Sequence, residues 1–498
     1  MSPIDTSKFS RLIRLGFLPV VLAATTLGAL GCSGSPGVLV VYISSSSNIS
    51  EDPLDPSVVR WLRIRIDGPD MGVVTAEGPF ERGGSTEVPP VPAGEERRLV
   101  IEGLTGEGGL IVSRGESLPF TISKGQKEIE VYVGLVDRFS SAAGFGLDPP
   151  RHSAAVVPLK GSGDVLFIGG RGCVGDDEAL GRIERFDSTS ARLVGPVECL
   201  EDDSCVMARR WDHLALPLAD GALFAGGMDD DGPMSSYGLC NQDDCLLAEE
   251  TGLSRIGGLV AENPSGGGYL LGGKVDGELS TRIDRIDASG DISEGVLLLP
   301  EAGGGLSATI DGAGGLLLMG FEDERARRIS GDLEAGEEAV SHQILEDATD
   351  RKDASMVTLP DGRVLAIGGR GADGEIISSI EIFDPFLEVT CNVGSLIRGR
   401  YSHGASKLRD GRVLVTGGFI STGSPTAETE MIDPRYLPQA ASCERLQGRL
   451  EVRMAARLST PRAGHAAISL QNGHLLVAGG KDEDGYAIGR LEIFVTAL

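Results

Sequence analysis

Val364-Leu365-Ala366-Ile367-Gly368-Gly369 is four apolar residues closed by two glycines, and the chain repeats this pattern along its length. The other copies are Val165-Leu166-Phe167-Ile168-Gly169-Gly170, Ala222-Leu223-Phe224-Ala225-Gly226-Gly227, Tyr269-Leu270-Leu271-Gly272-Gly273, Val413-Leu414-Val415-Thr416-Gly417-Gly418 and Leu475-Leu476-Val477-Ala478-Gly479-Gly480. Leu316-Leu317-Leu318-Met319-Gly320 is a degenerate seventh that lacks the first glycine. The last glycines stand at 170, 227, 273, 320, 369, 418 and 480, so the unit recurs in steps of 46 to 62 residues. A unit of that size cannot cover its own apolar strand, and stacked neighbours can.

Each unit has the same internal grammar. Asp220-Gly221, Asp361-Gly362, Asp410-Gly411 and Asn472-Gly473 precede the glycine-ended strand, and such dipeptides between apolar runs are hairpin turns. Alternating strands follow the glycine pair: Ile183–Asp187, Ile283–Asp287, Ile380–Pro385, Glu430–Pro434 and Leu491–Phe494. Runs of four or five apolar residues ended by Gly, Asp or Asn, with 72 glycines and no sustained helical period, describe an all-β chain. The repeats resemble kelch repeats, and the resemblance implies a seven-bladed β-propeller over 138–498, with six or eight blades also compatible. The departures are the missing fourth-strand tryptophan, an irregular second blade around Cys240 and the incomplete fourth copy. The last unit ends after its third strand, so the expected outer strand is Arg138–Gly144, which precedes the first repeat. Closing the ring with both chain ends removes exposed strand edges.

Upstream lies a different composition. Lys8, Arg11 and Arg14 precede an apolar run from Leu15 to Gly31, the layout of a secretory signal over 1–31. Leu27-Gly28-Ala29-Leu30-Gly31-Cys32 resembles a bacterial lipobox, which implies lipidation at Cys32 and attachment to a membrane through the lipid. Ser33 after the cysteine implies, by the same resemblance, the outer membrane or cell surface. Between 32 and 137 seven strand candidates begin with Val38–Ile43 and Trp61–Ile66 and end with Glu128–Leu135, and they read as a small β-sandwich. The Val91-Pro92-Ala93-Gly94 turn and the strand after it resemble transthyretin-like and immunoglobulin-like modules.

A net charge of −28, about −30 once the basic leader is removed, makes nucleic acid and anionic membrane poor partners. Arg210, Arg255, Arg351, Arg400 and Arg462 share one register, three residues before the position held by His213, His403 and His465. Two readings stay open for them: blade-locking contacts, or a ring facing an anionic ligand. The histidines recur once per blade, which separates them around a ring, and they are read as structural. Galactose oxidase, a copper enzyme on a kelch-like propeller, needs a cysteine-linked tyrosine with further tyrosine and histidine ligands, and no arrangement here resembles that. No metal, cofactor or catalytic residue is assigned. Export makes disulfides the default, with Cys199–Cys205, Cys240–Cys245 and Cys391–Cys443 as candidate pairs. The expectation is a lipid-anchored, non-catalytic binding or scaffolding module for protein or glycan. The alternatives are an extracellular propeller enzyme acting on carbohydrates and a surface adhesin.

Overall fold

The computed structural model describes residues 38–46, 48–82, 91–123, 126–144, 146–172, 179–199, 209–248, 253–303, 305–323, 325–421, 424–438 and 443–497. Seven antiparallel sheets follow one another along 155–196, 214–248, 259–298, 307–344, 355–395, 404–454 and 466–495. They are the blades of a β-propeller. The fifth shows the plan: Ser355–Thr358, Val364–Ile367, Ser379–Asp384 and Val389–Ser395 pair in sequence order from the centre outward. Every glycine-ended strand is the second of its blade. It is apolar throughout because both its faces meet a neighbouring blade: Val364, Leu365, Ala366 and Ile367 are all buried. The apolar cores lie between blades, as where Leu365 and Ile367 of the fifth meet Val413 and Val415 of the sixth.

Two differences from the sequence reading have local causes. The second blade carries a fifth strand, because Glu198–Cys199 pairs parallel to its outer strand Asp244–Ala248. The closing strand is Arg138–Ser141, shorter than the expected stretch, and it pairs antiparallel with Glu492–Val495. Disulfides join Cys240 to Cys245 and Cys391 to Cys443, the latter tying the fifth blade's outer strand to the sixth blade. Cys32 and Cys205 lie outside the described residues.

The glycine pairs have a steric origin. A Cβ on Gly368 would stand 2.5 Å from the Arg400 carbonyl of the next blade and 2.9 Å from the His403 ring. Gly369 has a φ of 98° and donates its N–H to the same Arg400 carbonyl at 2.8 Å. Only glycine lets successive blades approach this closely.

The preceding strands form a sheet of Met71–Pro79, Trp61–Gly68, Gly94–Leu104, Ile111–Glu116 and Gly134–Leu135, with Val38–Ser44 parallel to Gln126–Tyr132 beside it. Leu62, Ile64 and Ile66 alternate inward, and their core includes Leu39, Val41, Leu99, Ile101 and Val131. Arg63 and Arg65 point outward, and with Glu102, Arg114 and Glu116 they build a ladder of ion pairs that ends on Arg409 of the propeller. Ser44 Oγ donates to Ser190 O at 3.0 Å and Tyr132 N to Thr189 O at 2.8 Å. All these propeller contacts are hairpin turns, so the sandwich sits on the turn side of the ring. The side where the first strand of each blade begins, the arginine side, faces away from it.

Candidate functional site

The arginine register is a clamp repeated in six blades. Arg400 sends one guanidinium nitrogen to Gly417 O and Glu428 O, both at 2.8 Å, and another to Glu430 at 2.7 Å. Arg351 and Arg462 bind the corresponding carbonyls and the acids Glu381 and Glu492, and Arg255 binds Gly272 O and Asp284. Arg210 donates to Ser236 Oγ at 2.7 Å through the nitrogen that elsewhere reaches the acid, and burial pulls its guanidinium down to about 10. Arg151, not singled out from sequence, makes the same contacts with Gly169 O, Arg182 O and Glu184. The acid is shared: Glu430 also accepts the N–H groups of Ile397 and Arg398, so the pair has full hydrogen-bonding company, which a buried ion pair needs. Each guanidinium thus ties the first strand to the second and third of its own blade. The link to the preceding blade runs through the arginine's backbone carbonyl.

The fourth blade has Gly303 where the others have arginine. Its arginine, Arg327, stands on the third strand where other blades carry the acid, and it pairs with Asp323. His213 and His403 are buried and His465 is half-buried between blades, and desolvation holds their imidazoles down at about 3.

The residue before the histidine position lines the channel. Ser153, Asp212, Gly257, Gly305, Asp353, Ser402 and Gly464, one per blade, all have positive φ. Their backbones form a belt of two hydrogen-bonded arcs, one over the first to third blades and one over the fourth to seventh. Asp212 N donates to Ser153 O at 3.2 Å, Gly257 N to Asp212 O at 2.7 Å, Asp353 N to Gly305 O at 2.9 Å, Ser402 N to Asp353 O at 3.0 Å and Gly464 N to Ser402 O at 2.9 Å. The belt brings side chains from separate blades to one opening. Asp353 and Ser402, with Leu259, Leu306, Ser307 and Met356, line a cavity of about 240 Å³ contributed by four successive blades. Asp212 stands exposed on the same belt in the second blade, three blades from Asp353. Arg370 holds Asp353 at 2.7 Å and lies 5.1 Å over the Tyr401 ring, which stacks with Phe419; Arg171 lies 4.3 Å over Trp211.

The opposite end of the channel is crossed. Lys160 of the first blade reaches to the carbonyls of Asn263 and Pro264 in the third, at 2.7 and 2.8 Å. A larger groove of about 690 Å³ lies among the turns of the second to fourth blades, and its Asp287, Arg285 and Glu334 are already engaged. Asp287 accepts the Ser289 hydroxyl and then N–H groups of Ser289, Gly290 and Asp291, which hold its carboxyl below the usual range, and Arg285 pairs with Glu334.

No family model matches the chain, and no curated protein matches it. Among solved structures, a fungal alcohol oxidase of the AA5 family in complex with copper matches with a TM-score of 0.49 and 12% identity, over 72% of this chain and 75% of that one. The expectation of a non-catalytic binding or scaffolding module and of no enzymatic activity stands against that match, whose printed name is that of an enzyme. At such identity the likeness concerns fold, and no reaction, substrate or metal passes from that protein to this chain. Among the described residues no three of His, Cys, Asp and Glu converge, and His213, His403 and His465 stand in separate blades. No step is derived through a metal.

Proposed function

We propose that this chain is a lipid-anchored protein of the bacterial cell envelope whose kelch-type propeller is an enzyme cleaving carbohydrate, with Asp212 and Asp353 as its working carboxylates. The observation that supports the reading is that Asp212 and Asp353 hold equivalent positive-φ positions in blades three apart, Asp212 exposed and Asp353 lining the cavity. Breaking a glycosidic bond calls for two carboxyl groups on either side of the scissile oxygen. One donates a proton to the leaving oxygen, and the other assists water or stabilises the developing positive charge on the sugar ring. Asp353, fixed by Arg370, suits the stationary role, and exposed Asp212 suits proton exchange with solvent. The half-buried rings of Tyr401 and Phe419 give apolar surface for the C–H groups of a sugar.

The test is release of reducing ends from a panel of polysaccharides by the purified chain. Asp212→Asn and Asp353→Asn should each lower turnover by about 100-fold or more while melting as the wild type does. Cys32→Ser should move the protein out of the membrane fraction. A chain that cleaves none of the panel, or variants that cleave as well as the wild type, would defeat the enzymatic reading.

A further inference from the structure

We infer that the arginine side of the propeller opens away from the bilayer, with the sandwich standing between the two, and this rests on the lipid attachment at Cys32 proposed above. Val38–Ser44 and its parallel partner Gln126–Tyr132 both end on the first blade, where Ser44 Oγ donates to Ser190 O and Tyr132 N to Thr189 O. Seven residues of strand put Val38 about 20 Å from that turn. Leu39 and Val41 pack in the core of the sandwich. A second axis leads away from the ring along the ion-pair ladder. From Arg409 of the propeller it passes through Glu116, Arg114, Glu102, Arg63 and Glu77. These lie on four neighbouring strands, which stack about 4.8 Å apart with Met71–Pro79 outermost.

Five residues separate Cys32 from Val38, and the linking chain reaches at most about 22 Å. The third strand of the first blade, Ile183–Asp187, runs from the arginine side, where Arg151 holds Arg182 O, to the turn that Ser44 and Tyr132 meet. That strand adds about 17 Å, so the path from Val38 to the arginine side is about 37 Å. Were the two lengths at right angles, the separation would still be about 26 Å, beyond the reach of the linking residues. A bilayer holding the lipid of Cys32 therefore lies on the sandwich side of the ring. The mouth with Asp212 and Asp353 faces the opposite way, into the aqueous space. Sugars on lipid headgroups of the same leaflet stay at the bilayer surface, out of its reach. The substrates that meet it are soluble or extended polysaccharides.

The test inserts the lipidated chain from detergent into preformed phosphatidylcholine vesicles that carry an energy-transfer acceptor on a lipid headgroup. A donor dye is attached through an introduced cross-linkable amino acid at one of three exposed positions: Val73 of the sandwich, Ala313 in a hairpin turn of the fourth blade, or Ala372 on the arginine side of the fifth. Transfer should fall in that order, and Cys32→Ser should abolish it at all three. Transfer from Ala372 that equals or exceeds that from Val73 overturns the inference, and so does a wild type that does not stay on the vesicles. A second arm separates orientation from chemistry. Anchored wild type should release reducing ends from soluble polysaccharide as Cys32→Ser does, and should spare the same sugar carried on a glycolipid of the same bilayer. Cleavage of the lipid-borne sugar overturns the inference and leaves the enzymatic reading standing. Absence of all cleavage with the expected order of transfer defeats the enzymatic reading alone.

Discussion

At the scale of single residues, the repeated positions divide into those that share a side chain and those that share only a backbone state. Arginine, histidine and paired glycine recur as letters, so their register is legible in sequence. The belt residues are Ser, Asp or Gly, with a positive φ in common and no common side chain, so nothing in the letters marks them as one set. The one available signal was position: each lies two residues after the clamp arginine or its equivalent. The histidines behave differently from a ligand set, and their burial makes a testable statement. His213, His403 and His465 have folded values of about 3 against 6.5 in an unfolded chain. Between those values the unfolded state binds more protons, so their contribution is complete above about pH 6.5 and is lost as pH falls towards 3. Each histidine should steepen the fall by up to about 1.4 kcal/mol per pH unit. Urea unfolding at pH 7.0, 6.0 and 5.0 should show this slope, and His403→Gln should be shallower by one histidine's share. A slope unchanged by His403→Gln would mean that the ring is protonated in the folded protein.

At the scale of the element, strands were legible because each apolar run has turn chemistry at its ends and a partner at fixed distance. The fourth blade was harder for a physical reason. Its clamp is inverted, with Arg327 on the third strand and glycine at the first, so neither half matches the repeat. The closing strand was legible only through a deficit, a last unit one strand short. It is tied in by four residue pairs, Arg138 to Val495 through Ser141 to Glu492, and by the Ser141 N–H bonded to Glu51 at 2.7 Å. Phe139 also packs on Phe494 at 5.0 Å between ring centres. Replacing Arg138–Ser141 by a Gly-Ser stretch should expose the edge of Glu492–Val495. Amide hydrogens there should exchange at least tenfold faster, with the loss confined to the first and seventh blades if opening is local. Unchanged protection would show that the ring is held shut without this strand.

At the scale of the molecule, the sandwich and the ring are bound on the turn side by a ladder that neither part could satisfy alone. Glu116 is almost fully buried between Arg114 of the sandwich and Arg409 of the sixth blade, and Arg114 is buried as well. Tyr132, wholly buried, belongs to a core otherwise made by the first and seventh blades and by the segment leading into them, and it donates its hydroxyl to Ser141 O at 3.1 Å. The same chain segment therefore leaves the sandwich, closes the ring and starts the first blade, and sandwich docking should be coupled to ring closure. The wild type is expected to unfold in one calorimetric transition. Glu116→Gln leaves Arg114 with Glu102 but removes the charge facing Arg409, and Tyr132→Ala opens a cavity at the junction, with an expected cost of about 3–5 kcal/mol for loss of a large buried aromatic. Combined, they should split unfolding into two transitions, the sandwich melting separately from a destabilised ring. Residues on the arginine side should keep their hydrogen-exchange protection, because the belt and clamps lie wholly within the propeller. A wild type that already melts in two steps would show that the docking contributes little. A double variant that still melts in one would place the coupling in the covalent path from Val133 to Ser141 rather than in the contacts across the turn side.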